Sequence, residues 1–127
     1  MTAMAATPPK RMAAWKMAVR LPTLTAALTP VIVGSAAAYH DDAFALGPAL
    51  GALLGAMALQ VGANFANDVF DFERGADTSE RLGPPRATQL GLLTPTQMKL
   101  GMWTAFAAAM ICGVYLTAVA GWAVVAI

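Results

Sequence analysis

Three stretches of this 127-residue sequence, 21–39, 43–67 and 100–127, contain no Asp, Glu, Lys or Arg. A helix needs about 20 mostly apolar residues to cross a hydrocarbon layer roughly 30 Å thick, so each stretch is long enough to span a bilayer. Composition agrees: 58% of residues are hydrophobic, 12% are charged and the mean hydropathy is +0.61. A soluble domain of this size needs more surface charge than that. The expected fold class is all-α: a polytopic membrane protein with three transmembrane helices at about 21–39, 46–70 and 97–120. A basic segment, 1–20, precedes them, and a loop at 72–94 joins the second and third.

Charge placement orients these spans. All eight Lys and Arg residues lie before the first span or between the second and third: Lys10, Arg11, Lys16, Arg20, Arg74, Arg81, Arg86 and Lys99. The link between the first two spans carries His40, Asp41 and Asp42 but no Lys or Arg. The positive-inside rule therefore puts the N-terminus and the 72–94 loop in the cytoplasm. The net charge of +1 gives no bulk basic field of the kind that marks nucleic acid as a partner. The first 20 residues lack the apolar run of a secretory signal. Residues 8–20 read instead as a short interfacial helix with Trp15 at headgroup level, or as a basic tail. Cys112, the sole cysteine, lies in an apolar run and reads as a small packed hydrophobe.

Helix ends are legible too. Pro22 and Pro48 suit first-turn positions, and Pro30 is expected to kink the first span or break its hydrogen bonding locally. Arg74 and Gly75 form a plausible C-terminal turn and C′ residue. Residues 94–97, TPTQ, read as a capping box. Gly47, Gly51 and Gly55 recur every fourth residue and offer a face that a neighbouring helix can approach closely.

The chemistry is concentrated in GANFANDVFDFERGAD, residues 62–77. Gln60, Asn64, Asn67, Asp68 and Asp71 follow i, i+4, i+7, i+8, i+11 and share one helical face. At 1.5 Å per residue, Asp68 and Asp71 fall roughly 30–35 Å from the start of the second helix, at the membrane boundary. Two carboxylates three residues apart repel each other, and a divalent cation relieves that repulsion. Oxygen donors without nearby Cys or His favour Mg²⁺ or Ca²⁺. Arg81 and Arg86 then supply groups suited to phosphate. Carboxylates for metal and arginines for phosphate at a membrane surface suggest a lipid diphosphate. The bland alternative, polar residues that simply meet water, applies best to Glu73, Arg74 and Glu80.

NDVFD, residues 67–71, resembles the first aspartate-rich motif of the UbiA superfamily of intramembrane prenyltransferases. The longer run NFANDVFDFERGADTSERLGPPRATQLGLLTP, residues 64–95, is closely similar to the menaquinone branch, the 1,4-dihydroxy-2-naphthoate polyprenyltransferases. So is RLPTLTAALTPVIVGSAAAY, residues 20–39. The resemblance implies a bundle of transmembrane helices around a central cavity in a bacterial plasma membrane. It implies Mg²⁺-dependent transfer of a polyprenyl group from its diphosphate to 1,4-dihydroxy-2-naphthoate, with loss of the carboxylate. Asp68 and Asp71 would hold Mg²⁺ on the diphosphate. Asn64 and Asn67 would orient those carboxylates or touch the diphosphate, and Arg86 would stabilise the leaving diphosphate.

Two departures stand out. Where many superfamily members carry a further Asp, this chain has Gly75, with Asp77 two residues on and without an assigned role. The family also needs a second aspartate-rich motif, yet residues 81–127 contain no Asp or Glu. The expectation is the N-terminal third of a longer bundle, inactive alone and awaiting further helices. A non-catalytic membrane subunit or diphosphate-binding module, and a UbiA-type enzyme with another aromatic acceptor, remain as alternatives.

Overall fold

A computed structural model describes residues 11–75 and 86–126. Five α-helices follow in order: α1 Arg11–Val19, α2 Leu24–His40, α3 Leu46–Glu73, α4 Pro95–Ala120 and the short α5 Ala123–Ala126. No strand occurs among the described residues. Three helical stretches are long and apolar enough to cross a membrane, the first counting α1 and α2 together. That first stretch is not one rod. Arg20 sits in the left-handed region at φ 57°, and a 3-10 turn, Leu21–Thr23, separates α1 from α2. Alone, the 17 residues of α2 reach about 25 Å, and α3, with 28, reaches about 42 Å. The excess of α3 over a hydrocarbon layer of roughly 30 Å is its polar end.

Local sequence explains the ends. α2 stops at a left-handed Asp42, where Ala43 N–H donates to the Ala38 carbonyl and Asp42 N–H to that of Tyr39, the paired bonds that close a helix C-terminus. α3 ends with Gly75 at φ 72°. α4 begins at the capping box: Gln97 N–H donates to Thr94 Oγ1 (3.1 Å), and Thr94 N–H donates to Gln97 Oε1 (3.0 Å). Pro30 does not end α2, which runs through it. One turn earlier the Thr29 hydroxyl donates back to the Thr25 carbonyl (2.7 Å).

α3 and α4 pair along a glycine seam. A Cβ at Gly62 would lie 2.6 Å from the Phe106 ring, and one at Gly55 would lie 3.1 Å from Cys112 Cβ. Gly47 and Gly51 face Tyr115 in the same way. Without a hydrophobic drive between helices in lipid, such close approach is what holds them together.

The buried core is at one end of the molecule. Ala14 and Ala18 of α1, Phe65 and Val69 of α3, Ala87 and Leu93 of the connection, and Met98 and Met102 of α4 form one cluster. Trp15, expected at headgroup level, packs edge-on against Phe65 with ring centroids 5.5 Å apart. Its indole lies over Gly101, where a Cβ would come within 2.9 Å. The reason is steric: glycine leaves a flat place on α4 that a large ring can cover. Away from this end the large apolar side chains are exposed, among them Ile32, Leu54 and Ile111. Such an arrangement suits lipid or further helices as surroundings rather than water.

Candidate functional site

The last two turns of α3 carry the polar stripe into the buried end. Asn64 and Asp68 are buried, Asp71 is partly exposed, and the Asn67 side chain faces outward. Gln60 Nε2 donates to Asn64 Oδ1 (3.3 Å), so the stripe is linked along its own helix. Two carboxylates near a helix C-terminus stand against the negative end of the helix dipole. The rest of the chain offsets that charge.

Part of the offset comes from a single capped turn at 86–92. Asp68 accepts a hydrogen bond from Ala87 N–H through Oδ2 (3.2 Å) and from Thr88 N–H through Oδ1 (3.1 Å). These are the amides that the start of a helical turn leaves unpaired, and here the cap comes from another helix. Gln89 Oε1 accepts from Arg86 N–H (3.4 Å). The far end closes with Leu92 N–H on the Ala87 carbonyl (3.0 Å), Gly91 N–H on that of Thr88 (3.1 Å), and Gly91 itself left-handed. Asp68 therefore holds the turn from which Arg86 projects. Arg86 Nη1 donates to the Asn67 carbonyl (2.7 Å) and forms an ion pair with the Asp71 carboxylate. Glu73 pairs with Lys99 at the start of α4 (2.7 Å), both half-exposed.

The other offset comes from the elbow between α1 and α2. Asn64 Nδ2 donates to the Val19 carbonyl and to Thr23 Oγ1, both at 2.8 Å. This binds the elbow to α3 and sets its basic residues around the same cavity as Asp68. A cavity of about 370 Å³ results, lined by Lys16, Arg20, Thr23, Asn64, Asp68 and Arg86 among others. Three cationic side chains and one carboxylate face it, so the lining is net positive and suited to an anion with several negative charges.

The stripe on α3 thus meets Arg86 as well as two residues that sequence reasoning assigned elsewhere. Lys16 and Arg20 read as membrane-surface residues, whereas in the structure they line the cavity with Asp68. Their four-residue spacing, just before Pro22, was the available signal. Arg81, Asp77 and Glu80 lie outside the described residues.

The residues present suit a hard divalent cation. An ionised carboxylate offers about four lone-pair sites, and the two backbone amides on Asp68 take one on each oxygen. Among the described residues there is no cluster of three or more His, Cys, Asp or Glu. Mg²⁺ needs only one or two protein carboxylates when water and phosphate complete its shell.

Residues 27–127 match the UbiA prenyltransferase family. Over 110 residues, 87% of this chain, it is 38% identical to the 1,4-dihydroxy-2-naphthoate octaprenyltransferase of Escherichia coli (strain K12), of which the match covers 36%. The enzyme of the same name from Mycobacterium tuberculosis is 38% identical over 104 residues, 82% of this chain and 35% of the relative. A shorter match, 39% over 69 residues, joins half of the chain to 21% of the 2-carboxy-1,4-naphthoquinone phytyltransferase of Synechocystis. The chain spans about a third of the length of the octaprenyltransferases it matches. No solved structure matches it. With four-fifths of its length inside the family match, and with helices long and apolar enough to span a membrane, the chain belongs to the UbiA prenyltransferase family.

Proposed function

We propose that this chain supplies half of the diphosphate site of a membrane enzyme that transfers a polyprenyl group to 1,4-dihydroxy-2-naphthoate, with loss of the naphthoate carboxylate. One observation carries the reading: Lys16, Arg20, Arg86 and Asp68 line a single cavity at the polar end of a membrane-length helix. The names of the relatives support the naphthoate acceptor and the polyprenyl donor. In this reading residues 21–127 are part of a larger domain, and further helices of a longer chain complete the site. Residues 1–20 and the 72–94 loop face the cytoplasm of a bacterium, and the spans cross its plasma membrane.

The chemistry follows from charge. Breaking the allylic C–O bond leaves the electron pair on the diphosphate and a cation on the prenyl carbon. Arg86, Arg20 and Lys16 bind the phosphate oxygens and stabilise the charge that develops there. Asp68 and Asp71 would hold Mg²⁺, with Asn67 beside them, and the ion would supply further neutralisation of the leaving group. Arg81 is the second loop arginine for the same phosphates. Apolar walls keep water from the cation until the electron-rich naphthoate ring attacks it.

The test is equilibrium binding of inorganic pyrophosphate, with magnesium chloride, to the chain in lipid nanodiscs. Saturable binding that Arg86→Gln and Asp68→Asn both weaken is expected. Equal binding by these variants overturns the site. Prenylated product formed by the chain alone, from octaprenyl diphosphate and 1,4-dihydroxy-2-naphthoate, overturns the half-site reading.

A further inference from the structure

Arg20 is one of two non-glycine residues with positive φ among those described, and it alone of the two lines the cavity. A left-handed conformation is unfavourable for a side chain of this size. It persists only where the surroundings over-determine it, and such strain gathers at functional sites. Here the surroundings are specific. The Arg20 carbonyl accepts two bonds from one residue: Thr23 N–H at 2.9 Å and the Thr23 hydroxyl at 2.8 Å. The same hydroxyl oxygen accepts from Asn64 Nδ2, which also holds the Val19 carbonyl on the other side of Arg20. Asn64 in turn accepts from Gln60. A chain of hydrogen bonds thus runs from the middle of α3, through Asn64 and Thr23, to the backbone of Arg20.

From this geometry we infer that Thr23 is a positioning residue for the diphosphate site, and that Asn64 acts with it as a pin rather than as a diphosphate ligand. The inference rests on the site reading above. Both amide hydrogens of Asn64 are committed to the elbow, and its oxygen to Gln60, so its side chain has no donor left for a phosphate. What it does instead is fix the turn that aims Arg20 into the cavity. Thr23 is the only hydroxyl in that connection: a valine of the same shape keeps the packing and removes both side-chain bonds. Loss of the pin frees Arg20 to leave its left-handed conformation, and the guanidinium then no longer waits in place for the phosphate.

The experiment uses the whole chain in lipid nanodiscs, with inorganic pyrophosphate and magnesium chloride as the probe. Thr23→Val is expected to weaken pyrophosphate binding about tenfold, the worth of one hydrogen bond to a charged group. Thr23→Ser, which keeps the hydroxyl, restores it. Thr25→Val, which removes a neighbouring exposed hydroxyl bonded to the Pro22 carbonyl, leaves binding unchanged. In an Arg20→Gln background, Thr23→Val adds nothing further, because Thr23 works through Arg20. Unaltered binding by Thr23→Val, or the same loss with and without Arg20, overturns the pin while the site stands. Failure of the unsubstituted chain to bind pyrophosphate overturns the site, and the pin falls with it. A measurement on the unsubstituted chain needs no variant to fold: its Asn64 side-chain amide resonances stay in place on pyrophosphate addition while the guanidinium N–H resonances of Arg86 move. A shift at Asn64 as large as that at Arg86 overturns the inference.

Discussion

Arg86 reaches back across 15 residues to pair with Asp71 near the end of α3. A carboxylate that holds a guanidinium offers less of its charge to a metal ion, so Arg86 and a divalent cation compete for Asp71. Arg86→Gln should therefore tighten binding of Mn²⁺, a paramagnetic stand-in for Mg²⁺, when no pyrophosphate is present. The expected gain is about fivefold, matching the ~1 kcal/mol of a partly exposed ion pair. With pyrophosphate present the sign reverses, since the arginine is then missing from the anion. Electron paramagnetic resonance titrations in the two conditions read both effects, and a weaker Mn²⁺ affinity in each would remove the competition.

Asp68 has a structural duty beside any chemical one. Its oxygens hold the amides of Ala87 and Thr88, both buried. Asp68→Ala leaves two buried donors without acceptors, at a cost of about 1–3 kcal/mol each. The expected result is a lower thermal midpoint together with faster hydrogen exchange at Ala87 and Thr88. Asp68→Asn keeps one acceptor oxygen and should fall between. Unchanged exchange at both amides would show that another group holds the turn.

The glycine seam predicts a contrast between two identical substitutions. Gly62→Ala puts a methyl 2.6 Å from the Phe106 ring and should destabilise the α3–α4 pair by about 1–3 kcal/mol. Gly34→Ala, on α2 with nothing within 4 Å, should be neutral or stabilising by about 0.5–1 kcal/mol. Thermal unfolding in one detergent compares them directly. The seam is misplaced if the two variants melt together.

Glu73 provides the counter-case to its acidic neighbours. It pairs with Lys99 at 2.7 Å, but both side chains are about 40% exposed (42% for Lys99, 38% for Glu73). Such a pair is worth about 0–1 kcal/mol. Glu73→Gln should leave pyrophosphate and Mn²⁺ binding unaltered and shift the melting midpoint little. A loss comparable with that of Asp71→Asn would mean that the acidic residues act as a diffuse charged patch instead of a defined face.

What could be read from sequence was mostly local or periodic. The Thr94–Gln97 box and the Gly75 turn involve neighbours, and the stripe from Gln60 to Asp71 follows from helical repeat alone. The bonds that make the cavity are of another kind. Asn64 meets Thr23 across 41 residues and Asp68 meets Thr88 across 20. No periodicity encodes such meetings, because the first depends on how the chain turns at Arg20 and the second on how the 86–92 turn folds back on α3. Trp15 shows the same limit: an amphipathic ring at a membrane edge suits headgroups, and only the facing Gly101 reveals a docking place. Lys16 and Arg20 were legible as charges but not as cavity walls, since one pattern serves a membrane surface and a cavity lining alike.

The one-ended core has a consequence for biogenesis. α1 precedes the other helices, yet its Ala14 and Ala18 share one cluster with Phe65 and Val69 of α3, with Ala87 and Leu93, and with Met98 and Met102 of α4, and its Trp15 lies on Gly101. It has no complete seat until the start of α4 has left the ribosome. α2 and α3 can enter the bilayer earlier, each by its own hydropathy. The cavity has Lys16 and Arg20 on one wall and Arg86 on the other, so it forms only once the chain has been made as far as the 86–92 turn. A nascent chain halted before residue 86 would carry α2 and α3 yet lack the Arg86 wall of the cavity.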